Sequence, residues 1–580
     1  MTRFHSLLIA AIALAAVSSE AQSFRFVVVG DRTGSATPGV FEEIIEEVKL
    51  LRPDFVINVG DLIEGYSEDT LRLDTQWDTL LSIIKGLSTK FYFVPGNHDL
   101  QNEADRRLFR RRTGFNRYYS FDYQNSHFIV LDNSMTQWAI PQPVDSEQIA
   151  WLKADLEKNK NAANIFVFFH VPTFLDGFRD NRVDPLSELF EKYRVRIVFA
   201  GHYHSYMYFT RSATEYIDVG SSGGGLDNND FTRGNFFQFV LVTVRDKDPE
   251  IAVIRKGSIF RRNVVTGDDY LAIARADTAA VKFSRYVVEE QCRNAVIPCS
   301  VTITNFGQDS INQLLQLTAQ EKQYRFTPQT LPLAVAPEEK KSLRFDLTVF
   351  DGSNLFPLPQ FTMAYPFAYG KVCTLKNSLS ITRQKTVRRA KPAPIIDGKL
   401  DDPAWKSTKP ITNLGRNDGQ ASGPTDRTEI YLVHDQDNLY LAARCTEQDL
   451  SKIRAVTQEH DGPTYYDDNI WFFFDSDLDR STYHQAIINA QGAVFDRSCV
   501  FKDGQAAKDP GWNGPWEIRS GREANAWTLE IRVPKAKLGP CKDKEWGFNF
   551  RRLQTRINDA GYWSIPFDHD PRTFSLIQFK

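Results

Sequence analysis

No cysteine precedes residue 292, and the 580-residue chain holds only six, at 292, 299, 373, 445, 499 and 541. The first half therefore cannot rest on a disulfide framework. In the second half, CRNAVIPC leaves two readings open: Cys292 and Cys299 close a short loop in an oxidising compartment, or the thiols are free and buried. Charge of one sign is lacking as well. A net charge of −3 with a pI near 6.4 gives no reason to expect a nucleic-acid surface or an anionic membrane as partner. Fixed-period repeats and low-complexity tracts are absent. Beyond Val17 no apolar run approaches the roughly 20 residues that a membrane-spanning helix needs, so no transmembrane segment is expected.

The amino terminus does carry an apolar run. Arg3 precedes Leu7 to Val17, and Ser19-Glu20-Ala21 follows in an A-x-A-like arrangement. That pattern predicts a secretory signal over 1–21 and a secreted or periplasmic protein. The length exceeds what one core supports, so the chain is read as several domains.

From Phe24 to about residue 270, apolar strands alternate with amphipathic stretches: FRFVVVG, VFEEIIEEVKLL, FVINVG, FYFVPG, NIFVFFHVP and VRIVFAGH among them. This alternation predicts a layered α/β domain over 22–270 with parallel pairing, whose strand ends converge. Residues 271–385 lose helical periodicity and read as a small β-sandwich. RQKTVRRAKPAP reads as a linker, and 386–580 is again β-rich, with seven of the ten tryptophans.

Five pieces of the α/β region each follow an apolar strand: GDRTG with Asp31, NVGDL with Asp61, PGNHD with Asn97, His98 and Asp99, FFHVP with His170, and GHYH with His202 and His204. Asp, Asn and His are the O and N donors that suit borderline metal ions, and a carboxylate can bridge two. A dinuclear metal site is the economical reading. His98 stands ready to stabilise the transition state or to protonate the leaving oxygen, and Asp99 beside it either orients a histidine or stabilises the turn.

With these blocks in place, the region 24–260 resembles the calcineurin-like metallophosphoesterases, whose pattern is D-x-H, GD, GNH-D/E, H and GHxH. The resemblance implies a four-layer β-sandwich flanked by helices and two transition-metal ions, of Fe, Mn, Zn or Co. It places one ion on Asp31, Asp61 and His204, the other on Asp61, Asn97, His170 and His202, with Asp61 as the bridge. One position departs: Thr33 stands where the pattern has a histidine. The related purple acid phosphatases also lack that histidine and use a tyrosine three residues after the second aspartate. Here Glu64 holds that place and Tyr66 lies two further on; either is a candidate to compensate, though neither matches that branch's pattern.

Arg32, Arg179 and Arg182 are candidates to grip a phosphate. In the tail, IIDGKLDDPAW, DNLYLAARC and AWTLEIRVP resemble the sandwich of family 9 carbohydrate-binding modules and imply all-β architecture over 386–580. Trp512, Trp516 and Trp563, flanked by Gly, Pro and Asp, are the expected glycan platform. Asp467, Asp468, Asp475 and Asp477 are candidate Ca²⁺ ligands.

The sequence thus describes an exported, metal-dependent phosphoesterase acting on a phosphate mono- or diester, with a module for polysaccharide or cell-surface glycan. The alternative is a surface-binding protein whose phosphoesterase domain has degenerated at Thr33.

Overall fold

A computed structural model describes residues 23–580 except 68, 135–143, 180–183, 246–247, 320–321, 369, 422–426, 540–543 and 558. The predicted signal segment lies outside the described residues. The chain divides into two compact units, Met1–Arg275 and Ala276–Lys580.

In the first unit, twelve strands are interleaved with helices: β1 (Ser23–Val29), α1 (Val40–Leu51), β2 (Phe55–Asn58), α2 (Thr70–Ile84), β3 (Lys90–Tyr92), α3 (Glu103–Thr113), β4 (Tyr119–Tyr123), β5 (Ser126–Val130), α4 (Ser146–Asn159), β6 (Asn164–Phe168), α5 (Phe174–Arg179), α6 (Pro185–Lys192), β7 (Ile197–Ala200), β8 (Met207–Arg211), β9 (Thr214–Asp218), β10 (Phe239–Arg245), β11 (Asp248–Arg255) and β12 (Ser258–Arg261). They form two six-stranded sheets in the orders β12-β11-β10-β1-β2-β3 and β4-β5-β6-β7-β9-β8. β1, β2 and β3 run parallel, as do β5, β6, β7 and β9.

The unbroken apolar runs follow from this layering, because each central strand is covered on both faces. Phe26 and Val28 point into the core between the sheets, with Phe128, Phe166, Phe168 and Phe199 from the other side. Their alternates Val27 and Val29 meet Phe41, Ile45 and Val48 of α1 and Trp77 of α2. On the outer face of the second sheet, Leu152 and Leu156 of α4 and Phe190 of α6 pack on Ile129, Val167 and Val198. The result is helix, sheet, sheet, helix, the four-layer architecture expected.

The second unit is almost entirely β. Residues 383–389, the first part of the segment read above as a linker, belong to the strand Ile381–Arg389. It pairs in parallel with Tyr286–Glu289 and with Ser575–Phe579. Its basic residues hid the alternation: Arg383 and Lys385 are buried, Arg383 against Glu290 and the Asn413 carbonyl, Lys385 on the Lys409 carbonyl at 2.6 Å. CRNAVIPC likewise runs into an extended strand, Arg293–Thr304. Seven residues at about 3.3 Å each hold Cys292 and Cys299 too far apart for a disulfide, and all five described cysteines are free thiols.

Candidate metal centre

Each predicted ligand sits where a parallel strand ends and the chain turns. Asp31 follows β1, Asp61 follows β2, Asn97 to Asp99 follow β3, His170 follows β6, and His202 and His204 follow β7. The turns are tight enough to force uncommon backbone: φ is +53° at Asp61, +77° at His202 and +53° at His204. Gly96 is required, since a Cβ there would stand 2.1 Å from Asp61 Oδ1.

The side chains converge. His170 Nε2, His202 Nδ1 and Asn97 Oδ1 lie 2.9 to 3.2 Å from one another. His170 Nε2 is also 3.2 Å from Asp61 Oδ2. On the other side, Asp31 Oδ2 accepts the His202 backbone N–H at 2.8 Å and stands 3.3 Å from His204 Nε2. Asp31 Oδ1 is buried with no hydrogen-bond partner.

Main-chain carbonyls fix which nitrogen of each ring faces inward. His170 Nδ1 donates to Val59 O at 2.9 Å, His204 Nδ1 to Gly225 O at 2.6 Å, and His98 Nδ1 to Glu64 O at 2.8 Å. The opposite nitrogen of each ring is thereby aimed at oxygens. Tyr66 does the same for Asn97: its hydroxyl accepts from Nδ2 at 2.7 Å, so Oδ1 faces the histidines.

His170 Nε2 faces Asn97 Oδ1 and Asp61 Oδ2, a set of acceptors that either a proton on the ring or a metal cation among them reconciles. Burial alone would depress the His170 imidazole, but the charge of Asp61 and the hydrogen bond to it hold it up at about 10. Burial likewise works to raise Asp61, and His170 and His98 bring it down to about 2. Burial lowers the His202 imidazole to about 4, with the His170 charge adding to it. Burial also opposes protonation of His204, which Asp31 nevertheless raises to about 9. The donor set, the orphaned Asp31 oxygen and this demand for positive charge fit metal ions; Asp61, His170 and His202 alone bring three ligand atoms within 4.8 Å.

Thr33 is not among the inward donors. Its buried hydroxyl lies 2.9 Å from Asp61 O and 2.7 Å from Ile63 O, pinning the loop that carries Asp61. Gly34, at φ +79°, supplies the turn beside it. Neither candidate substitute takes the vacated role: Glu64 accepts from Ala36 N–H at 3.1 Å, and the Tyr66 hydroxyl is on Asn97.

Other expectations are corrected. Asp99 does not orient His98. It is fully buried and accepts the backbone N–H groups of Gly96, Leu62 and Ile63 at 2.9, 3.0 and 3.2 Å, which makes it the fastener between the two ligand loops. Its carboxyl is pushed up to about 7, first by burial and then by Asp61. Arg32 is partly buried and donates one N–H to Leu62 O at 2.7 Å, with its guanidinium 5.8 Å from the Phe41 ring centroid. Arg182 and the Arg179 side chain lie outside the described residues. In the glycine-rich 221–225 stretch, Ser222 and Gly224 donate their N–H groups to Asp31 O. No sequence signal marked the carbonyls of Val59, Glu64 and Gly225, since carbonyl placement depends on loop geometry rather than residue type.

In the tail, Trp563 is fully buried, its ring stacked 6.0 Å from Phe550 and its Nε1–H donating to Glu290 at 2.8 Å. It is core, because the strand pairing beside Phe550 turns it inward despite its polar neighbours. Trp512 and Trp516 are half-buried against the sandwich core. The exposed aromatic pair is Tyr465 and Tyr466, with rings 4.7 Å apart, which composition did not single out. Asp467 and Asp468 are spent on backbone N–H groups of Val456, Thr457, Arg454 and Thr555. Asp475 and Asp477 instead gather with Asp479, and both Asp475 oxygens are buried without hydrogen-bond partners.

Comparison with known proteins agrees with this division. Residues 24–206 match the family model described as calcineurin-like phosphoesterase, and 396–561 match the one described as carbohydrate family 9 binding domain-like. "Probable purple acid phosphatase 20" of Arabidopsis thaliana is 27% identical over 267 residues, 40% of this chain and 57% of that protein. "Serine/threonine-protein phosphatase CPPED1" of Homo sapiens is 25% identical over 182 residues, 28% of this chain and 58% of that protein. The chain thus spans a little over half the length of these curated relatives. Among solved structures, a family 9 carbohydrate binding module from Caldicellulosiruptor kristjanssonii in complex with cellotriose is similar at 16% identity and a TM-score of 0.26, covering 34% of this chain and 93% of that one. The chain accordingly carries a calcineurin-like phosphoesterase domain at 24–206 and a carbohydrate family 9 binding domain-like sandwich at 396–561.

Proposed function

We propose that the protein is an exported, metal-dependent phosphoesterase that hydrolyses a phosphate mono- or diester, and that its C-terminal domain holds it near a glycan. The observation that carries the reading is the convergence of Asp31, Asp61, Asn97, His170, His202 and His204 with their lone pairs turned inward. Two bound transition-metal ions would supply Lewis-acid polarisation of the phosphoryl group and activation of the attacking water. Asp61 lies between the two donor sets and is the shared ligand. His98 is held by Glu64 O through Nδ1, so its partly exposed Nε2, 3.9 Å from Asp61 Oδ2, is the atom that delivers a proton to the leaving oxygen.

Export rests on the Arg3 and Leu7–Val17 pattern of the amino terminus. Glycan attachment rests on the domain match and on the exposed Tyr465–Tyr466 pair. Asp475, Asp477 and Asp479, as all-oxygen donors, are proposed to hold Ca²⁺.

The test is hydrolysis of an aryl phosphate by the full chain before and after chelation. Activity should vanish with chelator, return with Mn²⁺, Fe, Co²⁺ or Zn²⁺, and fall roughly 10²- to 10⁴-fold in His98→Ala with metal content retained. An inactive protein that nevertheless binds two ions would favour the degenerate, surface-binding reading, for which the diversion of Thr33 is the specific argument.

A further inference from the structure

A second cluster of donor atoms lies in the C-terminal domain and uses none of the residues above. The loop from Thr457 to Thr464 is tied down along its length. Asp467 accepts the N–H groups of Val456 and Thr457, Asn489 Nδ2 donates to Thr457 O at 2.8 Å, and Thr464 Oγ1 donates to Ile487 O at 3.0 Å. At its tip, Asp461 N–H donates to Val494 O at 2.9 Å, and φ at Asp461 is +61°. This brings His460 and Asp461 over Asp496, which sits two residues beyond Val494 in the strand Val494–Lys502.

Asp496 is fully buried. Its Oδ2 accepts Gly514 N–H at 2.6 Å and the Trp516 indole N–H, while Oδ1 has no hydrogen-bond partner. A buried carboxylate oxygen without a partner is costly. The group facing it is the His460 ring, whose Nε2 is 3.8 Å away, beyond hydrogen-bond length. The other ring nitrogen, Nδ1, is 3.1 Å from Asp461 Oδ2. His460, Asp461 and Asp496 bring one ligand atom each to within 4.8 Å of the others.

One imidazole nitrogen and two carboxylate oxygens are a donor set for a borderline divalent ion rather than for Ca²⁺ or Mg²⁺, which prefer oxygen alone. Bonds of about 2.0–2.2 Å in a tetrahedral shell put neighbouring donors roughly 3.3 Å apart. The 3.1 Å separation is to Nδ1 and the 3.8 Å separation to Nε2, so whichever ring nitrogen binds, the donor from the other carboxylate closes in from within 4.8 Å. Asp496 is fixed by its two donors, and the exposed His460 and Asp461 side chains turn to close that distance. We propose that His460, Asp461 and Asp496 form a mononuclear site for a divalent transition-metal ion of the Zn²⁺ class, with a coordination position left open to solvent.

The full chain, stripped by chelator and titrated with Co²⁺, tests this by bound-metal stoichiometry, visible absorption and tryptophan fluorescence. His460→Gln removes an exposed donor, and Asp496→Asn keeps an acceptor for Gly514 and Trp516 while replacing Oδ1. Each should bind one equivalent fewer than wild type, or bind it more than about 100-fold more weakly. Aryl phosphatase activity and metal-free melting temperature should stay unchanged. Because Asp496 joins the site to the Trp516 indole, the third equivalent should quench fluorescence in wild type and much less in Trp516→Phe. Equal stoichiometry in wild type, His460→Gln and Asp496→Asn overturns the proposal. So does loss confined to Asp496→Asn with a lowered melting temperature, since that reports only a structural carboxylate.

Discussion

The two donor sets of the phosphoesterase centre are built differently. On one side, Asn97, His170 and His202 crowd within 3.2 Å of one another beside Asp61, and both the Asn97 amide and the His170 ring are oriented by a second group. On the other, His204 is likewise oriented by Gly225 O, but it stands 3.3 Å from Asp31, one Asp31 oxygen has no hydrogen-bond partner, and the neighbouring Thr33 spends its hydroxyl on backbone carbonyls. A threonine that fastens the Asp61 loop thus contributes to the shared ligand while contributing nothing directly to the first ion. On the proposed two-ion reading, the Asp31–His204 side is expected to be the weaker half, with the Asp61 bridge left in place.

The largest effect should come from removing what both sides share. Asp61→Ala should lose both ions and lower kcat/KM by more than the roughly 10²–10³ that one electrostatic donor contributes; metal analysis with two ions still bound would break the bridged scheme. Graded chelation of wild type should sharpen the comparison. The Asp31–His204 ion should leave first, so His204→Ala should bind one ion with nearly unchanged affinity, whereas His170→Ala should weaken both; calorimetric titration reads this directly. Thr33→Val should act more gently. It keeps the shape and removes a hydrogen bond worth about 1 kcal/mol, lowering the melting temperature by a few degrees with the first ion weakened but still bound. Abolition of that ion would mean that the hydroxyl itself ligates.

The smallest effect provides a control away from the ions. His127 is buried with Nδ1 2.6 Å from Asp122 and Nε2 2.8 Å from Asp155. Burial alone would lower its pKa, but these carboxylates raise it above the ordinary histidine value of 6.5. A raised histidine stabilises the fold fully below that ordinary value and loses its contribution as pH rises through the folded one. The melting-temperature deficit of His127→Gln should therefore be larger near pH 6 than near pH 9, with the ratio of the two metal affinities unchanged. A shifted ratio would show that the asymmetry is not local to Thr33.

The layered fold and the residues that converge at the strand ends were legible because both are written in residue type: apolar runs for strands covered on two faces, and Asp, Asn and His at their ends. What escaped is written in geometry. Trp563 has the polar neighbours of an exposed ring, yet strand pairing with the Phe550 segment turns it inward. Arg383 and Lys385 look like linker charges, yet buried Glu290 and the backbone carbonyls of Asn413 and Lys409 make them tolerable inside a strand. Asp99 and Arg32 stand next to functional residues in sequence, and only the loop path decides that their polar atoms face backbone instead of substrate.

The main-chain carbonyls that set the three histidine rings have a bearing on how this centre tolerates change. Val59, Glu64 and Gly225 act through an atom that every amino acid possesses, so replacing their side chains leaves the acceptor in place. Side chains in the loops around the donor atoms can therefore change while the inward face of each imidazole is set by the path of the backbone. Insertions or deletions that shift that path, rather than point substitutions, are the changes this design is least able to absorb.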